Sequence, residues 1–517
     1  MIRKINTVLT PQQAYDNETT LITAAKIAKV NVNDIQHLQW INRSIDARKY
    51  PTKINATFEL YIGEQPTQSE FEYKLKNVSK NKQIHIVGAG PAGYFAALEL
   101  IENGLCPIIF ERGKEISARK RDIALLSQNK EVNPESNYAF GEGGAGTFSD
   151  GKLYTRSKKK LEVRKVLELF HLHGAQNNIL FEAHPHIGTD VLPLVIENIR
   201  KTIIKAGGEI LFEHNVTDFK FKNNKIEAVV INDSITIEVE ELILATGHSA
   251  HNIYETLHKL NIPLEAKSFA MGIRLEHPQQ IINSIQYHTH KYDPYLPPAT
   301  YALTQQINGR GVYSFCMCPG GIIVPATTNN KKIVVNGMSN SSRNSPYANS
   351  GFAVEIRTED FEGYGRGGSL SGLDYQANLE KMAFLNGGNG QTAPAQRMYD
   401  FVKGRVSGSI QDCSYNPGVI SSPVHLWLPE IIGDTLRKGF ESLGKRIKGF
   451  LTNDGVVVGV ESRTSSPVRI PRNKETLNHI TIKNMYPCGE GAGYAGGIVS
   501  SAIDGICIAQ EIAKKTS

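Results

Sequence analysis

Three glycines and one acid carry the clearest chemistry in this sequence. Gly88, Gly90 and Gly93 follow the apolar run Ile84–Val87, and Glu111 ends a second apolar run, Pro107–Phe110. In a strand, turn, helix and strand of this spacing, the first glycine makes the tight turn and the second lets backbone approach a pyrophosphate. The third lets helix and strand pack closely. Pro91 and Ala92 open the helix, whose free amides and positive dipole end meet phosphates. Glu111, at the strand tip beside Arg112, is placed to accept hydrogen bonds from a ribose diol, and its charge would repel a 2′-phosphate. The expected ligand is FAD or NAD rather than NADP.

Two further glycine clusters suit backbone laid against a flat ligand. FGEGGAGTFSDGKLYTR, residues 140 to 156, holds Gly143, Gly144, Gly146 and Thr147, and is too rich in small residues for a stable helix or central strand. ELILATG, ending at Gly247, reads as a buried strand emptying into a turn. Near the end of the chain, NMYPCGEGAGYAGGIV carries Gly489, Glu490, Gly491, Gly496, Gly497 and Ile498. It is similar to the closing element of FAD enzymes, in which an acid after a strand holds the ribityl or pyrophosphate region. A helix from Ile498 then points its N-terminus at the flavin N1/O2 edge, where a reduced flavin is negative. Glu490 stands where aspartate is more usual.

Other residues are candidates for the reaction itself. His248, just after the ATG turn, has the ordinary pKa of a general acid or base. Cys316 and Cys318, two apart on an expected strand, would point to one face as a reactive thiol pair or as small buried residues. Arg274, Arg343 and Arg397 are each expected in a loop of the inserted domain, fit either to clamp a carboxylate or phosphate or to form structural ion pairs. His184 and His186 lack a further ligand at metal spacing, so no metal site is expected.

These residues need several elements to position them. A chain of 517 residues calls for two or three domains. Residues 1–78 read as a small α+β unit, with a strand alternating at Ile54, Ala56, Phe58, Leu60 and Ile62, a helix near Leu21–Val30 and an undetermined polar stretch, 33–48. Its Arg43, Asp46 and Arg48 are expected to pair ionically at the surface. Residues 79–265 and 478–517 form a discontinuous FAD-binding, Rossmann-like α/β domain, with Thr189 and Asp190 capping a helix that runs to about Ala206. Residues 266–477 form an inserted mixed α+β substrate domain. No second GxGxxG follows a strand, so NADH or NADPH would dock without a dedicated domain, or the substrate itself would reduce the flavin. The net charge of +6 is mild. Its one dense run, Arg156–Lys160, reads as a solvated helix start, so nucleic acid is not expected as a partner. No signal peptide or membrane span is evident, and six cysteines in so long a chain make no disulfide framework; a cytoplasmic protein is expected.

The motifs GEGGAGTFSDGKLYTR, ATGHSA, FCMCPGG, SPYANSG, PAQR, ESRTSSPVRI and YPCGEGAGYAGGIVSSAIDG, with RSIDARK near the N-terminus, resemble the predicted FAD-dependent dehydrogenases of bacteria over nearly the whole chain. The resemblance implies FAD, an inserted domain over the isoalloxazine and no particular substrate. The expected activity is an oxidoreductase moving hydride between flavin and an organic molecule. A flavin monooxygenase and a flavin-containing RNA- or protein-binding protein are the alternatives.

Overall fold

The computed structural model describes residues 1–66, 71, 73–388 and 390–516. Its central sheet is parallel, in the order Met485–Pro487, Leu242–Leu244, Gln83–Val87, Cys106–Glu111 and Glu209–Phe212. Ile86 lies opposite both Ile109 and Ile243, and Ile243 opposite Tyr486, so four of the strands end side by side. Sheets of this kind bind ligands beyond the carboxyl ends of their strands. The glycine turns begin at those ends.

Two helices cover this sheet at close range, and glycine makes the approach possible. A Cβ on Gly93 would lie 2.0 Å from the Gly88 carbonyl oxygen, pressing helix Pro91–Glu102 off its own turn. A Cβ on Gly505, in helix Ile498–Thr516, would lie 2.1 Å from the Ala92 carbonyl oxygen. The first and last elements of the nucleotide fold are thus locked together across more than 400 residues of chain.

The insertion has its own core and a seven-stranded sheet, ordered Thr304–Ile307, Arg310–Cys318, Tyr347–Ile356, Phe269–Pro278, Val456–Glu461, Ala393–Arg397 and Val419–Ser421. Helices Ser371–Asn386 and Glu430–Arg446 pack on it, burying Leu379, Leu436 and Phe440 among others.

At the N-terminus, strands Ile2–Leu9, Lys53–Ile62 and Ile35–Asp46 form an antiparallel sheet over helix Asn17–Ala28. The polar stretch 33–48 is therefore mostly a strand. It lies at a sheet edge with only Ile35 buried, so it lacks an apolar alternation. Arg48 pairs with Asp46 at 2.6 Å on the surface. Arg43 does not stay at the surface: it reaches Glu182 of the central domain at 2.5 Å and donates to the Ala14 carbonyl. The helix from Leu192 to Lys205 is not capped by Thr189 or Asp190; the Asp190 carboxylate accepts instead from the Ser341 amide, 2.7 Å away, and from its hydroxyl.

Candidate active site

A narrow cleft runs along the carboxyl ends of the parallel strands. It encloses 290 Å³ once a water-sized margin is left along its walls, out of 1470 Å³ of empty space including its mouth. Glycine turns open it. Gly88, Gly90, Pro91, Ala92, Gly144, Gly146, Gly247, Gly496, Gly497 and Ile498 all face it. A Cβ on Gly247, Gly496 or Gly497 would have no protein atom within 4 Å, so these glycines open onto the cleft. Gly144, with φ +64°, approaches so near that its Cβ would lie 3.1 Å from the Gly90 Cα. The cradle suits a long, flat dinucleotide whose phosphates meet bare amides.

Several of the expected contact residues shape this cradle from behind. Gly93, Gly143, Thr147, Gly489 and Gly491 do not line the cleft. A Cβ on Gly143 would meet Thr147 Oγ1 at 2.0 Å, and that hydroxyl donates to the Glu142 carbonyl. Gly489 donates its amide to Asp504, and a Cβ on Gly491 would sit 2.4 Å from the Gly247 carbonyl oxygen. Glu111 does line the cleft, but its carboxylate already binds three turns together. Oε2 accepts from the Ala89 amide, and Oε1 from those of Gly113 and Gly141, all at 2.9 Å. Arg112 lines the same end, gripped by Glu135 at 2.8 Å and laid on the Phe140 ring.

At the other end, His248 Nδ1 lies 3.5 Å from Glu490 Oε2, and both face the cleft. Glu461 joins them. Burial pushes its carboxyl up to about 7, even with the Arg274 guanidinium 2.7 Å away holding it down. A buried acid poised near neutrality is a typical feature of reactive sites.

A second cavity, 1200 Å³ on the same measure, lies on the far side of Phe315 and Cys316. The two spaces share Phe315, Cys316, Gly496 and Gly497. The strand Arg310–Cys318 is irregular here: Phe315 pairs with Gly351 and Cys318 with Asn349, leaving two residues opposite one. Cys316 takes φ +44° within this bulge. The two cysteines therefore do not share one face of a regular strand. Cys316 lines both cavities, whereas Cys318 is fully buried, 3.4 Å from Arg274 Nη2 and 3.8 Å from Lys152 Nζ. A hydrogen bond with the Cys318 thiol, aided by Lys152 and Arg274, holds Cys316 well below the ordinary thiol range. The same bond and burial push Cys318 up. The two thiols share these cations and titrate as a pair.

The three candidate arginines part company. Arg274 is fully buried and gives its donors to Glu461, Asn349 and the Cys316 carbonyl, so it holds the bulge and clamps no ligand. Arg397 binds the Ser409 carbonyl at 2.7 Å, away from both cavities. Arg343 borders the wide cavity, not the cleft, paired with Asp150 at 2.8 Å. Burial works against ionisation of Asp150, yet Lys152 and Arg343 bring its carboxyl down to about 2. His186 donates its Nε2–H to the Ser341 carbonyl at 3.2 Å, and His184 packs on Tyr154. Among the described residues no group of three or more His, Cys, Asp or Glu is arranged to hold a metal ion. Nor is any helix there long and apolar enough to cross a membrane.

Asp150, Lys152, Glu461 and Arg463 were not singled out from sequence, although each lies in a quoted motif. Nothing in their spacing marks them, because their partners lie far along the chain: Asp150 meets Arg343, Glu461 meets Arg274 and Arg463 meets Glu380.

Residues 268–464 match a family described as FAD-dependent protein, C-terminal domain-like, and residues 1–61 match a domain of unknown function. An uncharacterised protein of Clostridium beijerinckii is 39% identical over 525 residues, covering 97% of each chain. Thiamine thiazole synthase of Pyrococcus horikoshii is 25% identical over 203 residues, which cover 37% of this chain and 67% of that one. Among solved structures, FqzB matches with a TM-score of 0.37 and 11% identity, covering 85% of this chain and 78% of that one. The chain belongs to a family of FAD-dependent enzymes, with FAD as its cofactor, that includes the nearly full-length relative in Clostridium beijerinckii.

Proposed function

We propose that the protein is an FAD-dependent oxidoreductase of the dehydrogenase or reductase type, whose organic reactant occupies the wide cavity. The observation that carries this reading is the shared boundary: the two spaces meet at Phe315, Cys316, Gly496 and Gly497. FAD, when bound, supplies two-electron transfer at its flavin ring. The chain's own residues divide the remaining work. Gly90 and Gly144 offer backbone to the pyrophosphate, and the charge of Glu111 disfavours a 2′-phosphate at the adenosine end. Phe315 and Cys316 bound the reactant's position. His248, Glu490 and Glu461 stand at the cleft as groups able to take up or release a proton there.

A nicotinamide reductant would reach the site through the wide cavity, which borders the cleft at Phe315 and Cys316. The test is an anaerobic absorbance titration of the FAD-loaded protein with NADH and with NADPH. Bleaching by one of them makes the protein a reductase. Bleaching by neither, with bleaching by a metabolite, makes it a substrate-driven dehydrogenase. A protein whose flavin no organic donor reduces would overturn the reading.

A further inference from the structure

The wide cavity is strongly cationic. Lys152, Arg156, Lys159, Arg343 and Arg472 face it, and Asp504 is the one acid among its described lining residues. Asp504 is spent on Arg472, at 2.7 Å. Lys152 and Arg343 share a single carboxylate behind the wall, Asp150, at 3.4 and 2.8 Å. Five cations thus face two carboxylates. Arg156 is exposed and has no hydrogen bond or ion pair to any described residue. The Lys159 ammonium has the Cys507 thiol, at 2.9 Å, as its hydrogen-bonding partner. The basic run that reads in sequence as a solvated helix start therefore turns two of its cations into a concave space that reaches Cys316. Unbalanced charge in a concavity raises the local concentration of anions and speeds their entry. Guanidinium and ammonium groups that lack a protein carboxylate are free to bind one from a ligand, or a phosphate.

We propose that the wide cavity is an anion-selective reactant site, taking an organic molecule with a carboxylate or phosphate group that Arg156 and Lys159 hold while its other end reaches Cys316. The word reactant rests on the oxidoreductase reading; the anion selectivity does not.

The experiment compares alkylation of Cys316 in the FAD-loaded protein by anionic iodoacetate and by neutral iodoacetamide, with the modified residue located by peptide mass. Both reagents consume the same thiolate, so the ratio of rates reports the field of the cavity and not the acidity of the thiol. The ratio at Cys316 is expected to exceed that of free glutathione by about tenfold, and to fall by about fivefold in the Arg156→Gln/Lys159→Gln double variant, whose changes are at exposed positions. Inorganic pyrophosphate and succinate are then tested as protectants. Protection by either supports the proposal, and the stronger of the two identifies the preferred group. A ratio equal to that of glutathione, unmoved by the double substitution and with protection by neither anion, overturns it. Anion preference in a protein whose FAD no organic donor reduces would leave this site standing and remove the oxidoreductase reading. Absence of the preference, with reduction by a neutral compound, would do the reverse.

Discussion

The two cavities that share Phe315 and Cys316 are built from different materials. The narrow cleft is opened by glycine turns, Gly88, Gly90, Gly144, Gly247 and Gly497 among them, and one of its carboxylates, Glu111, is spent on holding three turns in place. The wide cavity is walled by long side chains, several of them cationic. Backbone held by sheet and helix ends cannot rearrange cheaply, which suits a cofactor that stays. Flexible charged side chains exchange partners readily, which suits a molecule that enters, reacts and leaves. At this strand the side chains of Phe315 and Cys316 belong to both.

The largest expected effect tests the backbone side. Gly90 has ordinary φ −78°, and a Cβ there would come no nearer than 3.9 Å to protein, so Gly90→Val keeps the fold while filling the cradle. FAD affinity should fall about 100-fold, the scale of overpacking a tight site, as read by flavin fluorescence titration. Alkylation of Cys316 from the wide side should persist. Loss of both properties together would break the distinction between the two cavities.

A smaller effect is expected from Asp150→Asn, on the side-chain wall. It removes the carboxylate shared by Arg343 and Lys152 and should cost about 3 kcal/mol of stability, the scale of breaking a buried pair. Thermal melting should reveal it, with FAD affinity changed less than about tenfold. An equal loss of FAD affinity would mean that the two walls act as one.

The smallest effect is a pH dependence with a contributor on each side. Burial, then Arg343 of the wide cavity's wall, lowers His186 to about 4; burial, then Arg463 of the cleft's wall, lowers His251 to about 3. Burial also lowers His277 to about 4. These imidazoles stay neutral in the folded chain while the unfolded chain takes up protons from about pH 6.5 downward. Their stabilisation is present above that value and is lost as the pH falls toward 4. Glu461 acts oppositely, since its raised value favours the fold at low pH and loses that contribution as the pH rises through about 7. Burial lowers His85, His173, His425 and His479 in the same sense and raises Glu142, Glu182 and Glu276 in the sense of Glu461. The lowered histidines outnumber the raised carboxyls, so the melting temperature is expected to fall on acidification between pH 6.5 and 4.5. Substituting His186 or His251 with Gln should each flatten the fall, measured by calorimetry in a pH series.

The nucleotide half was legible because its signals are local. A strand, a glycine turn, a helix and a terminal acid follow one another within 28 residues, and the fold keeps that order from Gln83 to Glu111. The motif itself separates Gly90, which faces the cleft, from Gly93, which packs against the Gly88 carbonyl. The reaction face was less legible because it is assembled from distant pieces. Asp150 meets Arg343, and Glu461 meets Arg274, across nearly 200 residues each. Cys316 and Cys318 were visible as a pair, but the bulge between Phe315 and Cys318 has no alternation to betray it. The edge strand Ile35–Asp46 escaped for a related reason, since a strand buried at one residue leaves no period-2 pattern.

The most direct test of the central claim, that FAD in the cleft and a reactant in the wide cavity meet at Cys316, is to alkylate Cys316 with N-ethylmaleimide in the FAD-loaded protein. The flavin absorbance and its rate of reduction by dithionite would be followed before and after. A group added at the shared boundary should shift the visible flavin band and slow reduction. An unchanged band and an unchanged rate after complete modification of Cys316 would contradict the account.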